Sequence, residues 1–122
     1  RKTEKLHILH GDILNTDGLR IAGLGGVIGT NQKPWRTALD GFLIGLKSLL
    51  DQSPDLLVLH EGPSANDGHL RGNPDVHAAL KQFDDQTPVI CGHAHWPRPL
   101  ARLATGRPIL NVDERCVVVL LE

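Results

Sequence analysis

Residues 56–63 read Leu56-Leu57-Val58-Leu59-His60-Glu61-Gly62-Pro63, and residues 88–95 read Pro88-Val89-Ile90-Cys91-Gly92-His93-Ala94-His95. Each is a short apolar run, and each runs into histidine. An apolar run without polar alternation marks a strand covered on both faces, as in the middle of a parallel sheet. The predicted strands are Leu56–Leu59 and Pro88–Cys91. Between them Asn73 suits a helix N-cap and Pro74 the first helical position, with Val76, Ala79, Leu80 and Phe83 facing inward.

Upstream, Leu6–Leu9 reads as a short strand, Gly11-Asp12 to Asp17-Gly18 as turn chemistry, and Gly18–Leu24 as a second strand of a hairpin. Gly25, Gly26 and Gly29 lead into a polar loop ending at Pro34. From there Trp35, Ala38, Leu39, Phe42, Leu43, Leu46, Leu49 and Leu50 recur at steps of three and four, which predicts an amphipathic helix with Pro34 in its first turn. Asp51 to Pro54 ends it. Downstream, Leu100–Leu103, Ile109–Val112 and Cys116–Leu121 read as closing strands, separated by turns at Thr105-Gly106-Arg107 and Asp113-Glu114-Arg115. Strand and helix alternate, so the predicted class is α/β: a mixed sheet with two main helices and some antiparallel pairing.

With 122 residues, 40% hydrophobic and 22% charged, the chain has the size and composition of a single domain, residues 1–122. Only Trp35, Trp96, Phe42 and Phe83 are aromatic, so the core is aliphatic. The formal net charge of −1 argues against a bulk basic surface for nucleic acid, and four aromatics leave little to stack on bases. No apolar run approaches the roughly 18 residues of a membrane span, so a cytoplasmic protein is expected. Cys91 and Cys116 both sit in apolar stretches and read as two buried thiols of a reducing compartment. The chain starts at Arg1 and contains no methionine, which reads as a segment cut from a longer protein.

Seven histidines are the compositional oddity. Ligand sites of open α/β sheets collect beyond the carboxyl ends of the strands, so His60, His93 and His95 come together if the two histidine-bearing strands are neighbours. On an extended backbone His93 and His95 point to one side, with Gly92 allowing a sharp turn after the strand. Neutral imidazoles in such a cluster suit Zn, Mn, Fe and similar ions. A lone histidine is more simply a satisfied surface or core residue; the combination carries the metal reading. His69 and Arg71 lie in the loop after His60 and read first as a polar surface loop; if that loop faces the site a substrate passes there, and Arg71 can grip a phosphate with two parallel hydrogen bonds. Glu61 is read equally as support for the neighbouring His60 and as a solvated carboxylate. His77 reads as an exposed helical residue and His7 as a strand residue. Trp96 reads as lining the site or packing.

The strand-end His60 followed by Gly92-His93-Ala94-His95 resembles the last two motifs of the calcineurin-like metallophosphoesterases. The Arg71-Gly72-Asn73 connection and the Gly18–Gly26 stretch are similar too, so the resemblance spans nearly the whole chain. It implies part of an αββα sandwich and hydrolysis of a phosphomonoester or phosphodiester by a metal-activated water. It also implies divalent metal ions, two in the complete site, with Mn, Fe, Zn, Ni and Mg not distinguished. His60 and His93 would ligate one ion and His95 the other.

The family's amino-terminal Asp-x-His, Gly-Asp-x-x and Gly-Asn-His-Asp/Glu motifs have no counterpart at a matching position; His10-Gly11-Asp12 reads as turn and strand. The chain therefore reads as the carboxyl-terminal half of such a domain. It is inactive alone, and its partner is a missing amino-terminal segment or a complementary chain. An exposed sheet face and edge would invite self-association into a homo-oligomer. Two rivals stand beside this reading. One is a non-catalytic partner-binding module with a vestigial metal site. The other is a nucleotide-binding loop at Gly23–Gly29, weakened because Thr30-Asn31-Gln32-Lys33-Pro34 prevents a helix from opening at the glycines.

Overall fold

A computed structural model describes residues 7–29, 36–65, 69–83 and 85–118. The architecture is mixed α/β. In chain order the elements are β1 (Asp12–Thr16), β2 (Leu19–Leu24), β3 (Val27–Ile28), β4 (Arg36–Thr37), α1 (Leu39–Leu50), β5 (Leu56–Glu61), α2 (Pro74–Lys81), β6 (Val89–Gly92), β7 (Leu100–Arg102) and β8 (Pro108–Asn111). Six strands form one sheet in the order β1-β2-β5-β6-β8-β7, and β3 pairs with β4 in a separate parallel ladder. The four inner strands β2, β5, β6 and β8 are parallel, while β1 and β7 close the edges antiparallel.

Alternation along the strands builds the core. Ala22, Leu24, Leu57, Leu59, Val89, Cys91 and Ile109 project to one face, where Phe42, Leu46, Leu49 and Leu50 of α1 and Val76 and Leu80 of α2 pack on them. The opposite face carries Ile21, Val58, Ile90 and Leu110, all half-buried. Asn73 caps α2 as its residue type dictates, accepting from the backbone N–H groups of Asp75 and Val76.

Several sequence expectations are corrected. The amino-terminal hairpin exists, but its first strand is Asp12–Thr16 and its loop is Asp17-Gly18, both at positive φ as a tight two-residue turn requires. His7–Leu9 is not a strand, and Leu6 lies outside the described residues. Helix α1 begins at Leu39 rather than Trp35, because Arg36–Thr37 is committed to pairing with Val27–Ile28; Pro34 and Trp35 lie outside the described residues. Cys116–Val118 is not a strand, since β8 is already paired on both sides by β6 and β7, and residues 119–121 lie outside the described residues. Cys116 is accordingly exposed, and only Cys91 is buried.

No helix among the described residues is long and apolar enough to cross a membrane.

Candidate metal centre

The parallel pairing of β5 with β6 sets the carboxyl ends of the two histidine-bearing strands side by side. The register is irregular there: Val58 pairs with Ile90 but Glu61 with Gly92, so β5 spends one more residue than β6 over the same span. Such bulges re-aim side chains at strand ends. Strand character persists through Glu61, two residues beyond the apolar run. Alternation therefore sends His60 to the open face and Glu61 to the helix-covered face with Leu57 and Leu59.

His60 and His93 come together, with ring centroids 5.1 Å apart and the planes tilted by 55°. Behind His93 lies the Glu61 carboxylate, Oε1 being 3.9 Å from His93 Nε2. Glu61 is largely buried, 9% exposed, at the edge of a cleft. Its Oε2 accepts from Asn73 Nδ2 at 3.5 Å.

His95 has contacts of its own, with the loop after β8. The extended backbone that would align it with His93 is absent: His93 has φ of +67°, and Ala94 N–H donates back to the Gly92 carbonyl at 2.8 Å. The left-handed residue is His93 itself, not Gly92. His95 Nδ1 lies 3.6 Å from Asp113 Oδ2 and 3.8 Å from Glu114 Oε2. Ligand atoms of these three side chains all fall within 4.8 Å of one another, and Arg115 Nη2 sits 3.4 Å from His95 Nε2. Buried Asn111 ties the two loops together, donating from Nδ2 to the Ala94 carbonyl and accepting from Asp113 N–H.

Two cavities adjoin at Gly92. A cleft of about 510 Å³ is lined by Glu61, Ser64, Arg71, Asn73 and His93, and a groove of about 430 Å³ on the open face is lined by His60 with Val58 and Ile90. Arg71 is exposed, but its backbone is fixed. Trp96, fully buried, donates from Nε1 to the Arg71 carbonyl at 2.6 Å. A Cβ on Gly72 would overlap the Pro63 carbonyl, and Asn73 N–H donates to the Gly62 carbonyl at 2.9 Å. His69 is exposed and lines neither cavity. His77, expected to be exposed, is half-buried with Nδ1 against the Ser64 carbonyl. Burial pushes the Cys91 thiol up to about 12, so that sulfur is a packing group. The glycines after β2 lead into β3, so among the described residues no helix N-terminus stands there to hold a pyrophosphate.

Sequence reading missed the orientation of Glu61 toward His93, the second task of Asn73, and the Asp113–Glu114 pair. The signals were present. Asp113 and Glu114 follow a strand beside β6, so the carboxyl-end rule that selected the histidines reaches them as well.

No family model matches the chain, and none of the curated proteins compared matches it. Among solved structures it is similar to TT1561 of Thermus thermophilus, with a TM-score of 0.61 and 17% identity over 86% of this chain and 48% of that one. The likeness is one of fold. The chain spans about half the length of that structure.

Proposed function

We propose that this chain supplies part of the active site of a metal-dependent phosphoesterase of the calcineurin-like kind. The observation that carries the reading is the convergence of His60 and His93 at the carboxyl ends of adjacent parallel strands. The order of motifs and the fold likeness support it.

The donor set fits a divalent first-row ion: two neighbouring imidazoles, a carboxylate behind one of them, and a third imidazole one loop away beside two further carboxylates. His60 and His93 would hold one ion and His95 a second; imidazole donors favour Mn, Fe, Zn or Ni over Mg. A bound ion supplies Lewis acidity and brings the pKa of a coordinated water to about 7. The chain's own residues bind and orient. Arg71 presents its guanidinium to an ester phosphate in the cleft from a fixed backbone, and His69 stands at the loop before it. The complete site draws its bridging carboxylate from an amino-terminal segment or a complementary chain, so the 122-residue chain alone has little or no turnover. The partners follow: a phosphate ester as substrate, that complementary segment or a second copy, neither membrane nor bulk nucleic acid, in the cytoplasm.

One observation favours a second reading. His95 is engaged by Asp113, Glu114 and Arg115, as in a non-catalytic partner-binding module with a vestigial site. Hydrolysis of a chromogenic phosphate ester with Mn²⁺, in a longer protein containing this segment, separates the two. Activity abolished by His93→Ala supports the esterase. Activity indifferent to that change overturns it, and partner binding that survives chelator supports the docking module.

A further inference from the structure

We propose that Glu61 is a positioning residue for His93, held in turn by the N-cap Asn73 of α2. The inference rests on the metal reading above and deepens it.

Three features of the chain build this arrangement. Strand alternation, extended by the bulge, turns Glu61 away from its neighbour His60 and toward the helix-covered face. There the amino terminus of α2 meets it, because Asn73 is bridged to Pro63 and hydrogen-bonded to Gly62. Asn73 then serves two elements with one amide: Oδ1 caps the helix, and Nδ2 faces Glu61 Oε2. The third feature is the positive φ of His93, which folds the chain back after β6 and brings its ring over Glu61 Oε1.

A buried carboxylate needs partners, and here the partners are Asn73 and His93. At 3.9 Å the contact with His93 Nε2 is electrostatic rather than a hydrogen bond. A neutral imidazole carries one proton, and a carboxylate facing Nε2 favours keeping it there. The Nδ1 lone pair is then left for an ion, and the ring orientation is set. Carboxylates that orient ligating histidines in this way typically govern metal affinity by tenfold to a hundredfold.

The test is Zn²⁺ binding to the 122-residue chain by titration calorimetry, with melting temperature measured alongside. Glu61→Gln retains the shape and an acceptor for Asn73 but removes the charge; affinity is expected to fall about tenfold to a hundredfold. Glu61→Asp keeps the charge and should recover part of the loss. Asn73→Ser keeps a good N-cap while deleting the donor to Glu61, so α2 stays folded and affinity falls severalfold. Wild-type affinity in Glu61→Gln, with binding lost in His93→Ala, overturns the role of Glu61 and leaves the metal site standing. Binding that ignores both His60→Ala and His93→Ala overturns the metal reading itself.

Discussion

The indole Nε1 of Trp96 donates to the carbonyl of Arg71 at 2.6 Å, joining the loop after β6 to the loop before α2. Both loops contribute lining residues to the cleft that contains Glu61 and His93. This hydrogen bond therefore ties the Arg71 backbone to the loop that carries His93.

Trp96→Phe keeps most of the packing volume but strips the Arg71 carbonyl of its partner. It is expected to cost about 1–2 kcal/mol of stability, read as a lowered midpoint in denaturant. Gly72→Ala attacks the same loop from the other side, since a Cβ there overlaps the Pro63 backbone and cannot be relieved by a side-chain rotation. Wild-type stability in both variants would show that the loop is not held as described.

Arg107 anchors the opposite end of the sheet, at the amino ends of β6 and β8. It is fully buried, pairs with Asp85, and donates to the carbonyls of Thr87, Leu80 and Phe83. Asp85→Asn leaves that guanidinium charge in place without its counter-charge, and should destabilise by about 1–3 kcal/mol. Adding Arg107→Met removes the stranded charge, so the double variant should be more stable than Asp85→Asn alone. Chemical denaturation of wild type, both single variants and the double variant reads the order, and a double variant less stable than Asp85→Asn contradicts it.

The apolar runs at Leu56–Leu59 and Val89–Cys91 disclosed the inner strands because strands buried on both faces carry no competing polar pattern. The start of helix α2 was legible to the residue because Asn73-Pro74 is a local signal whose hydrogen bonds close within three residues; its end at Lys81 falls short of Phe83, which the apolar period includes. The start of α1 was not: its apolar period runs back to Trp35, but pairing between Arg36–Thr37 and Val27–Ile28 is a non-local decision. The same division holds at the site. His60 and His93 could be placed from strand adjacency, whereas His95 could not, because a left-handed residue that is not glycine breaks the i, i+2 rule and nothing local announces it.

Burial raises the Cys91 thiol from its ordinary 9.0 to about 12. The sign follows from linkage. Between these values the unfolded chain releases the thiol proton and the native chain retains it, so stability is full below pH 9 and declines as pH rises toward 12. The slope from this group approaches about 1.4 kcal/mol per pH unit. Cys91→Ala should flatten the alkaline limb of a stability–pH curve relative to wild type. In the same range a thiol reagent should modify exposed Cys116 in the native protein and reach Cys91 only on unfolding. An equal rate at both sulfurs would refute the burial.

The engagement of His95 by Asp113, Glu114 and Arg115 makes a sharper demand. If His60 and His93 share one ion, His95→Ala should change the tightest Zn²⁺ binding step by less than about threefold, whereas His93→Ala should weaken it by a hundredfold or more. His95 Nε2 faces the Arg115 guanidinium, so Arg115→Ala relieves competition at that nitrogen and should strengthen any second, weaker step. Asp113→Ala should weaken that step, since its carboxylate lies 3.6 Å from His95 Nδ1. Calorimetric titration of these variants beside wild type resolves the two steps. A His95→Ala variant that loses the tight step would place all three histidines on one ion and overturn the two-ion assignment.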